Sequence, residues 1–275
     1  LVLLAPRFFA PERTPLHLAH ASLLFAALIV FSFLTHLAIP FAPRASVVGL
    51  YSVALTCAVL AAPFVLSGVA VTLVLTRFPA RVSRLYAADL LGAATGCAAL
   101  VILLRVTDAP SAAAAVAALA ALGGLAFAGA ADSARTRRAA LATALVLAGL
   151  AAGNTALVHR QASLLRLAWI KGGSEPKPRY EKWNSFSRLT VVGDPDVPTP
   201  PAGWGMSAVL PRDRAVRQLF LLIDATAATV LTGYDGRPES LEHLKYDVVN
   251  AAHFLRRNAR VLAIGSGGGR DVLAA

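Results

Sequence analysis

The chain has 275 residues, 57% of them hydrophobic and only 15% charged, with a mean hydropathy of +0.63. A soluble domain would struggle to reach that balance, so the composition excludes an ordinary soluble enzyme and reads as an integral membrane protein. The net charge of +11 would suit a nucleic-acid binder, but the arginines sit mainly beside apolar spans, so the lipid bilayer with its anionic headgroups is the expected partner and nucleic acid is not.

Residues 1–171 are predicted to form a transmembrane helical region with five spans, at 16–39, 46–76, 85–104, 111–131 and 139–158. Each supplies the ~20 residues that a bilayer crossing requires. The first is closed by Pro40 and Pro43 and carries His17 and His20, three apart on one helical face. Without a carboxylate or thiol beside them they read as interfacial polar anchors, and no metal site is expected. The second holds Pro63 with Ser67 and Gly68 close behind, and reads as one tilted, kinked helix, a hairpin of two short segments being the alternative. Cys57 and Cys97 lie inside apolar stretches and are expected to be buried small hydrophobes.

The third span carries Asp89, and Gly92 and Gly96 four residues apart. An ionised group one turn inside a membrane span is a functional candidate, or else a helix-start carboxylate beside Arg81 and Arg84. Gly92 with Gly96, and Gly149 with Gly153 in the fifth span, make small-residue faces that are candidates for close helix approach or a homo-oligomer contact. Asn154 is a lone polar group for a neighbouring helix to satisfy. Five crossings put the basic loops at Arg77, Arg81, Arg84 and at Arg135, Arg137, Arg138 on one side, and everything after His159 on the other. Those loops are of the kind retained in the cytoplasm, yet the segment after the last span is itself basic. The C-terminal part is placed in the cytoplasm, the protein being a multi-pass component of the cell inner membrane, because of the ligand argued below.

Residues 172–238 change to a mixed, Pro-punctuated composition and read as a small β-rich lobe, with strands at 180–192, 218–224 and 228–232 and a turn at Tyr234-Asp235-Gly236. Residues 239–257 read as one amphipathic helix, apolar at Leu241, Leu244, Val248, Ala252 and Leu255. It leads into a short apolar strand at 261–264, the loop Gly265-Ser266-Gly267-Gly268-Gly269, and a helix opening at Arg270. Strand, glycine turn and helix form the start of a Rossmann-like α/β unit, 239–275. Glycine is needed where the chain reverses sharply and a ligand approaches the backbone closely. Gly265, Ser266, Gly267 and Gly269, with Asp271 at the helix start, are the candidate cofactor-binding residues. The loop by itself admits a pyrophosphate or the carboxylate of an amino-acid-like cofactor. The chain starts at Leu1 and stops just as this unit opens, and is expected to be incomplete.

Three motifs in order carry a resemblance: Arg-Leu-Tyr-Ala-Ala-Asp-Leu-Leu-Gly-Ala at 84–93, Lys-Trp-Asn-Ser-Phe-Ser-Arg at 182–188, and Val-Leu-Ala-Ile-Gly-Ser-Gly-Gly-Gly-Arg-Asp-Val-Leu at 261–273. Together they resemble the bacterial membrane-fused spermidine synthase-like proteins. The resemblance implies a helical membrane region joined to a class I methyltransferase-like domain that binds S-adenosylmethionine or its decarboxylated form. Where soluble aminopropyltransferases carry Leu-Asp-Gly then Gln, and Tyr-His-Glu, this chain has Ile223-Asp224-Ala225 followed by Thr226 and Ala227, and Tyr246-Asp247-Val248. Gly268 stands where their glycine loop carries aspartate.

The expected function is a membrane-bound methyl- or aminopropyl-transferase, its acceptor unidentified and its acceptor-activating acid beyond Ala275. The alternative is a transporter or scaffold working through Asp89 and the glycine faces, with an α/β domain that only senses a ligand or is inactive.

Overall fold

The computed structural model describes residues 2, 7–40, 45–171, 173–256 and 258–275. Pro43, Gly172 and Arg257, used as boundaries in reading the sequence, lie outside them. The chain divides into two compact units, Leu1–Glu175 with Trp183–Phe186, and Pro176–Lys182 with Ser187–Ala275.

The first unit is built from α1 (Thr14–Ala38), α2 (Val47–Arg77), α3 (Val82–Val106), α4 (Ala109–Ala130) and α5 (Ala134–His159). All five are long and apolar enough to cross a bilayer, which makes this a multi-pass membrane protein. A side chain marks the start of three of them: Ser46 accepts from the Gly49 amide, Asp108 from Ser111 and Ser133 from Thr136.

α2 runs unbroken through Pro63, so the stretch is one helix and not a hairpin. Proline lacks the amide hydrogen that would bond the carbonyl four residues back, which is Val59. The Ser32 hydroxyl of α1, 4% exposed, donates to that Val59 oxygen at 2.8 Å. In hydrocarbon, where water cannot satisfy a freed carbonyl, this bond makes the proline tolerable.

The helix core is lined by small residues. Ala26 of α1, Ala117, Ala118 and Ala121 of α4, and Ala144 and Leu147 of α5 form one buried cluster. Leu18, Ala21, Val69 and Leu73 form another between α1 and α2. At Gly124 a Cβ would lie 3.3 Å from the Ala19 carbonyl oxygen, so this glycine sets the approach of α4 to α1. α3 has no buried residue. Among the described residues nothing lies within 4 Å of a Cβ position at Gly92 and Gly96, or at Gly149 and Gly153, so these glycines do not pack on another helix of the unit. Cys57 and Cys97 are free and exposed rather than buried, because they lie on outward faces of α2 and α3.

Asn154 is satisfied at the start of α4. Its amide nitrogen donates to Asp108 Oδ2 at 3.2 Å and to Ser111 Oγ at 2.8 Å, and its oxygen accepts from the Leu164 amide at 2.9 Å. Ser163 also donates to Asp108 Oδ2, at 3.3 Å. The cluster pins the segment after α5 to the α4 start.

After α5 the strands are β1 (Trp169–Ile170), β2 (Gly173–Ser174), β3 (Tyr180–Trp183), β4 (Arg188–Val192), β5 (Gln218–Ile223) and β6 (Ala227–Thr232). β1 and β2 form a short antiparallel ribbon, and the others a sheet of order β3-β4-β5-β6. β5 pairs antiparallel with both neighbours, Val192 opposite Phe220 and Phe220 opposite Val230. The hairpin between β5 and β6 turns on Asp224 and Ala225, at φ 49° and 70°. The expected strands at 218–224 and 228–232 are present. That at 180–192 is instead two strands, parted where Asn184 Oδ1 accepts from the Phe186 amide at 2.8 Å in a local turn. Arg188, buried in β4, pairs with Glu181 of β3 at 2.8 Å and 3.1 Å.

The helix expected at 239–257 is also broken. It consists of a 3-10 helix Pro238–Tyr246, a 3-10 turn Val248–Asn250 and α6 (Ala251–Leu255). The break falls at Asp247, whose backbone is extended, at φ −93° and ψ 139°, and bridges Met206. A carboxylate that accepts from the Val249 amide and β-branched Val248 and Val249 both favour the break over helix continuation.

Candidate functional site

The glycine loop packs on the last strand of the sheet. Gly265, Gly267 and Gly269 take φ of 69°, 52° and 78°, a left-handed backbone open mainly to glycine. Gly268 serves a different need, since a Cβ there would lie 2.2 Å from the Val230 carbonyl oxygen of β6. The Gly268 amide faces Thr229 Oγ1 at 3.4 Å, and the Gly269 amide donates to the Ser266 carbonyl at 2.8 Å. Gly268 is therefore the glycine of the loop on which the sheet leaves no room.

Residues 261–264 form no strand, and Val261, Leu262 and Ile264 are exposed. A strand needs a neighbour's free edge to satisfy its backbone. Among the described residues the sheet is a meander from β3 to β6, and this segment pairs with neither edge. The helix after the loop, α7 (Arg270–Ala274), is five residues long.

The loop forms one wall of a cavity of about 400 Å³ within the second unit. Gly265, Ser266, Gly267 and Asp271 line it, so four of the five residues expected from the sequence share one site. Gly269 instead occupies the position before α7 and lines no part of it. The opposite walls come from Phe220 of β5, Thr229 and Val230 of β6, and Trp204 in the loop between β4 and β5. Nothing in the local pattern of residues 202–206 points to this site, although they stand some sixty residues before the glycines.

An ion pair holds the walls together. Arg270 and Asp247 meet at 2.6 Å, with side chains 11% and 2% exposed. Arg270 also donates to the Ala202 carbonyl oxygen, and approaches Met206 sulfur at 3.1 Å. Among the described residues lining the cavity Arg270 is the one cation, and both its terminal nitrogens are engaged while its Nε has no hydrogen-bond partner. Asp271 is exposed and has no ion pair among the described residues. His243, almost wholly buried beneath, is pushed below the usual imidazole range by burial and then by the Arg270 charge, a hydrogen bond to the Ser240 backbone pulling the other way.

The remaining candidates lie in the first unit. Asp89 is exposed on α3 and makes no ion pair with Arg81 or Arg84. His17 lies against the rings of Phe8 and Phe9, with centroids 5.6 Å and 5.5 Å away. Among the described residues no group of three metal-ligating side chains comes together.

The chain matches no protein-family model, no curated protein and no solved structure.

Proposed function

We propose that the second unit binds S-adenosylmethionine or its decarboxylated form in the glycine-loop cavity, as part of a membrane-bound methyl- or aminopropyl-transferase. The observation that carries this is the charge of the cavity wall. Its cation, Arg270, is neutralised by Asp247, while its carboxylate Asp271 is unpaired among the described residues. A pyrophosphate would meet an acidic residue and, among the described residues lining the cavity, no unpaired cation; a sulfonium bearing an ammonium group meets complementary charge.

The residues fit such a ligand in other respects. A volume of about 400 Å³ lies within the ~300–1,000 Å³ usual for small-molecule sites. The left-handed glycines Gly265 and Gly267 present backbone without a Cβ, and Phe220 and Trp204 supply apolar faces. When bound, the ligand supplies an electrophilic carbon next to its sulfonium. The protein's part is to fix that carbon: Asp271 would hold the positive end, and Arg270 with Asp247 keeps the walls at a set separation. The Rossmann-like reading of 239–275 belongs to the same proposal and is supported by the strand-like sequence at 261–264, the glycine turn and the helix that follows.

The proposal places this unit in the cytosol, where the cofactor is made. Its support is the ligand, and it stands against the arginine distribution, since five spans put Arg77, Arg81, Arg84 and Arg135, Arg137, Arg138 on the other side. A reporter enzyme active only outside the cytoplasm, fused after Ala275, should be silent; activity would refute the cytosolic placement.

Binding is tested by calorimetry on the detergent-purified protein with adenosylmethionine and decarboxylated adenosylmethionine. Saturable binding that is lost in Asp271→Lys and in Gly267→Val supports the reading, and the preferred ligand separates methyl from aminopropyl transfer. Absence of binding to folded protein overturns it and shifts attention to Asp89 and the membrane helices.

A further inference from the structure

Trp204 stands out because its position wastes apolar surface. A tryptophan side chain usually buries 150–250 Å² and contributes strongly to a core. Trp204 is 92% exposed and yet lines the cavity beside the glycine loop.

The backbone beneath it is not loose. A Cβ on Gly203 would lie 2.5 Å from Asp247 Oδ2, and one on Gly205 2.2 Å from Val248 Cγ1, so both flanking positions are pressed against the 247–248 segment. The Val248 amide donates to the Gly205 carbonyl at 3.0 Å, and the Ser207 amide to the Tyr246 carbonyl at 2.7 Å. On the other side the Ala202 amide donates to Gln218 Oε1 at 3.2 Å, and the Ala202 carbonyl accepts from Arg270. The two glycines next to Trp204 are thus held against the 247–248 segment, while the indole itself is left exposed.

A rigid strap that presents an unburied aromatic face at a cavity is built to receive a flat ligand, because no loop entropy is lost when the ligand arrives. The face stacks on a flat π-system and, through its quadrupole, also attracts a cation. Within the adenosyl ligand the purine is the flat group, and adenosine, which lacks the sulfonium and the ammonium, isolates its contribution.

We propose that Trp204 is the base-stacking residue of the cavity, recognising the adenine ring of the bound nucleoside. The proposal rests on the cofactor reading above and assigns that site a specificity determinant. It makes Trp204 a contact for the nucleoside half of the ligand, with no part in holding the amino-acid half.

The test uses the full-length protein in detergent, with adenosine and adenosylmethionine as probes and Trp204→Ala and Trp204→Phe as variants. Since the side chain is 92% exposed, both variants should melt with the wild type. Stacking on a base is lost with the ring, so Trp204→Ala should weaken both probes by about tenfold to a hundredfold, and Trp204→Phe by much less. Adenosine should also quench tryptophan emission in the wild type and not in Trp204→Ala, whose remaining tryptophans are Trp169 and Trp183.

Equal affinity of wild type and Trp204→Ala, with binding present in both, overturns the stacking role and leaves the cofactor reading standing. Absence of binding in the wild type overturns both. Quenching of Trp204 by spin-labelled lipid, with no response to adenosine, would show instead that the ring inserts into the bilayer surface, and equally overturns the proposal.

Discussion

Arg270, the first residue of the helix that follows the glycine loop, closes on Asp247, the residue that breaks the preceding helical stretch, at 2.6 Å. One buried pair thus joins the loop, the 202–206 strap and the 3-10 turn into a single cavity wall. Breaking such a pair by removing one partner leaves an uncompensated buried charge, at a cost of about 3–5 kcal/mol. Asp247→Asn should therefore lower the melting temperature of the second unit and loosen ligand binding. A double variant Asp247→Asn/Arg270→Met should recover much of the stability, and calorimetric melting of the wild type and the two variants decides the point.

The glycines of the loop differ in what a methyl group would do. At Gly265 the space is open and only the left-handed backbone at φ 69° resists, so Gly265→Ala should cost about 1–2 kcal/mol. At Gly268 the added carbon would meet the Val230 carbonyl oxygen at 2.2 Å, and the loop must leave the sheet. Gly268→Ala should be the more damaging, read as a larger drop in melting temperature and the loss of adenosylmethionine binding. Equal effects would mean that contact with β6 does not position the loop.

The His243 imidazole titrates below its ordinary value when folded, chiefly because of burial and then because of Arg270. As pH falls below about 6.5, the unfolded chain takes up a proton that the folded one refuses, so stability is present above that pH and lost below it. Melting temperature should fall as the pH drops below about 6.5 in the wild type and fall less in His243→Gln. An unchanged slope in the variant would assign the acid sensitivity elsewhere.

Ser32 and Pro63 make a separable test in the membrane unit. Ser32→Ala leaves the Val59 carbonyl without a donor in an apolar setting, which should cost about 1–3 kcal/mol. Pro63→Ala restores the amide hydrogen within α2, so Ser32→Ala should be nearly silent in that background. Detergent thermal stability of the four proteins completes the cycle, and additive losses would refute the coupling.

Small residues on two faces should respond differently. Gly124→Val forces α4 away from Ala19 and Leu23 of α1 and should destabilise the helical unit. Gly92→Val on α3 meets nothing within 4 Å and should leave the monomer unchanged. Thermal melts separate the two, and a lost cross-linked dimer in Gly92→Val alone would identify α3 as a contact between copies.

The sequence by itself determined the elements whose signal is local. Five runs of apolar residues are long enough to cross a bilayer wherever they pack, so α1 to α5 were legible from length and composition. The left-handed turn was legible from Gly265, Gly267 and Gly269, because few other residues accept that backbone. Tertiary structure decided whatever depends on a partner. Whether Pro63 breaks α2 turned on Ser32, far away in α1. The stretch at 261–264 has the composition of a strand but gains no ladder, because no sheet edge reaches it. Asp247 and its β-branched neighbours favour a break in the helical periodicity locally, and Arg270 and Met206 hold that break in place. Trp204 reaches the cavity only because two glycines let its strap press against Asp247 and Val248, a juxtaposition across more than forty residues of chain that no local pattern encodes.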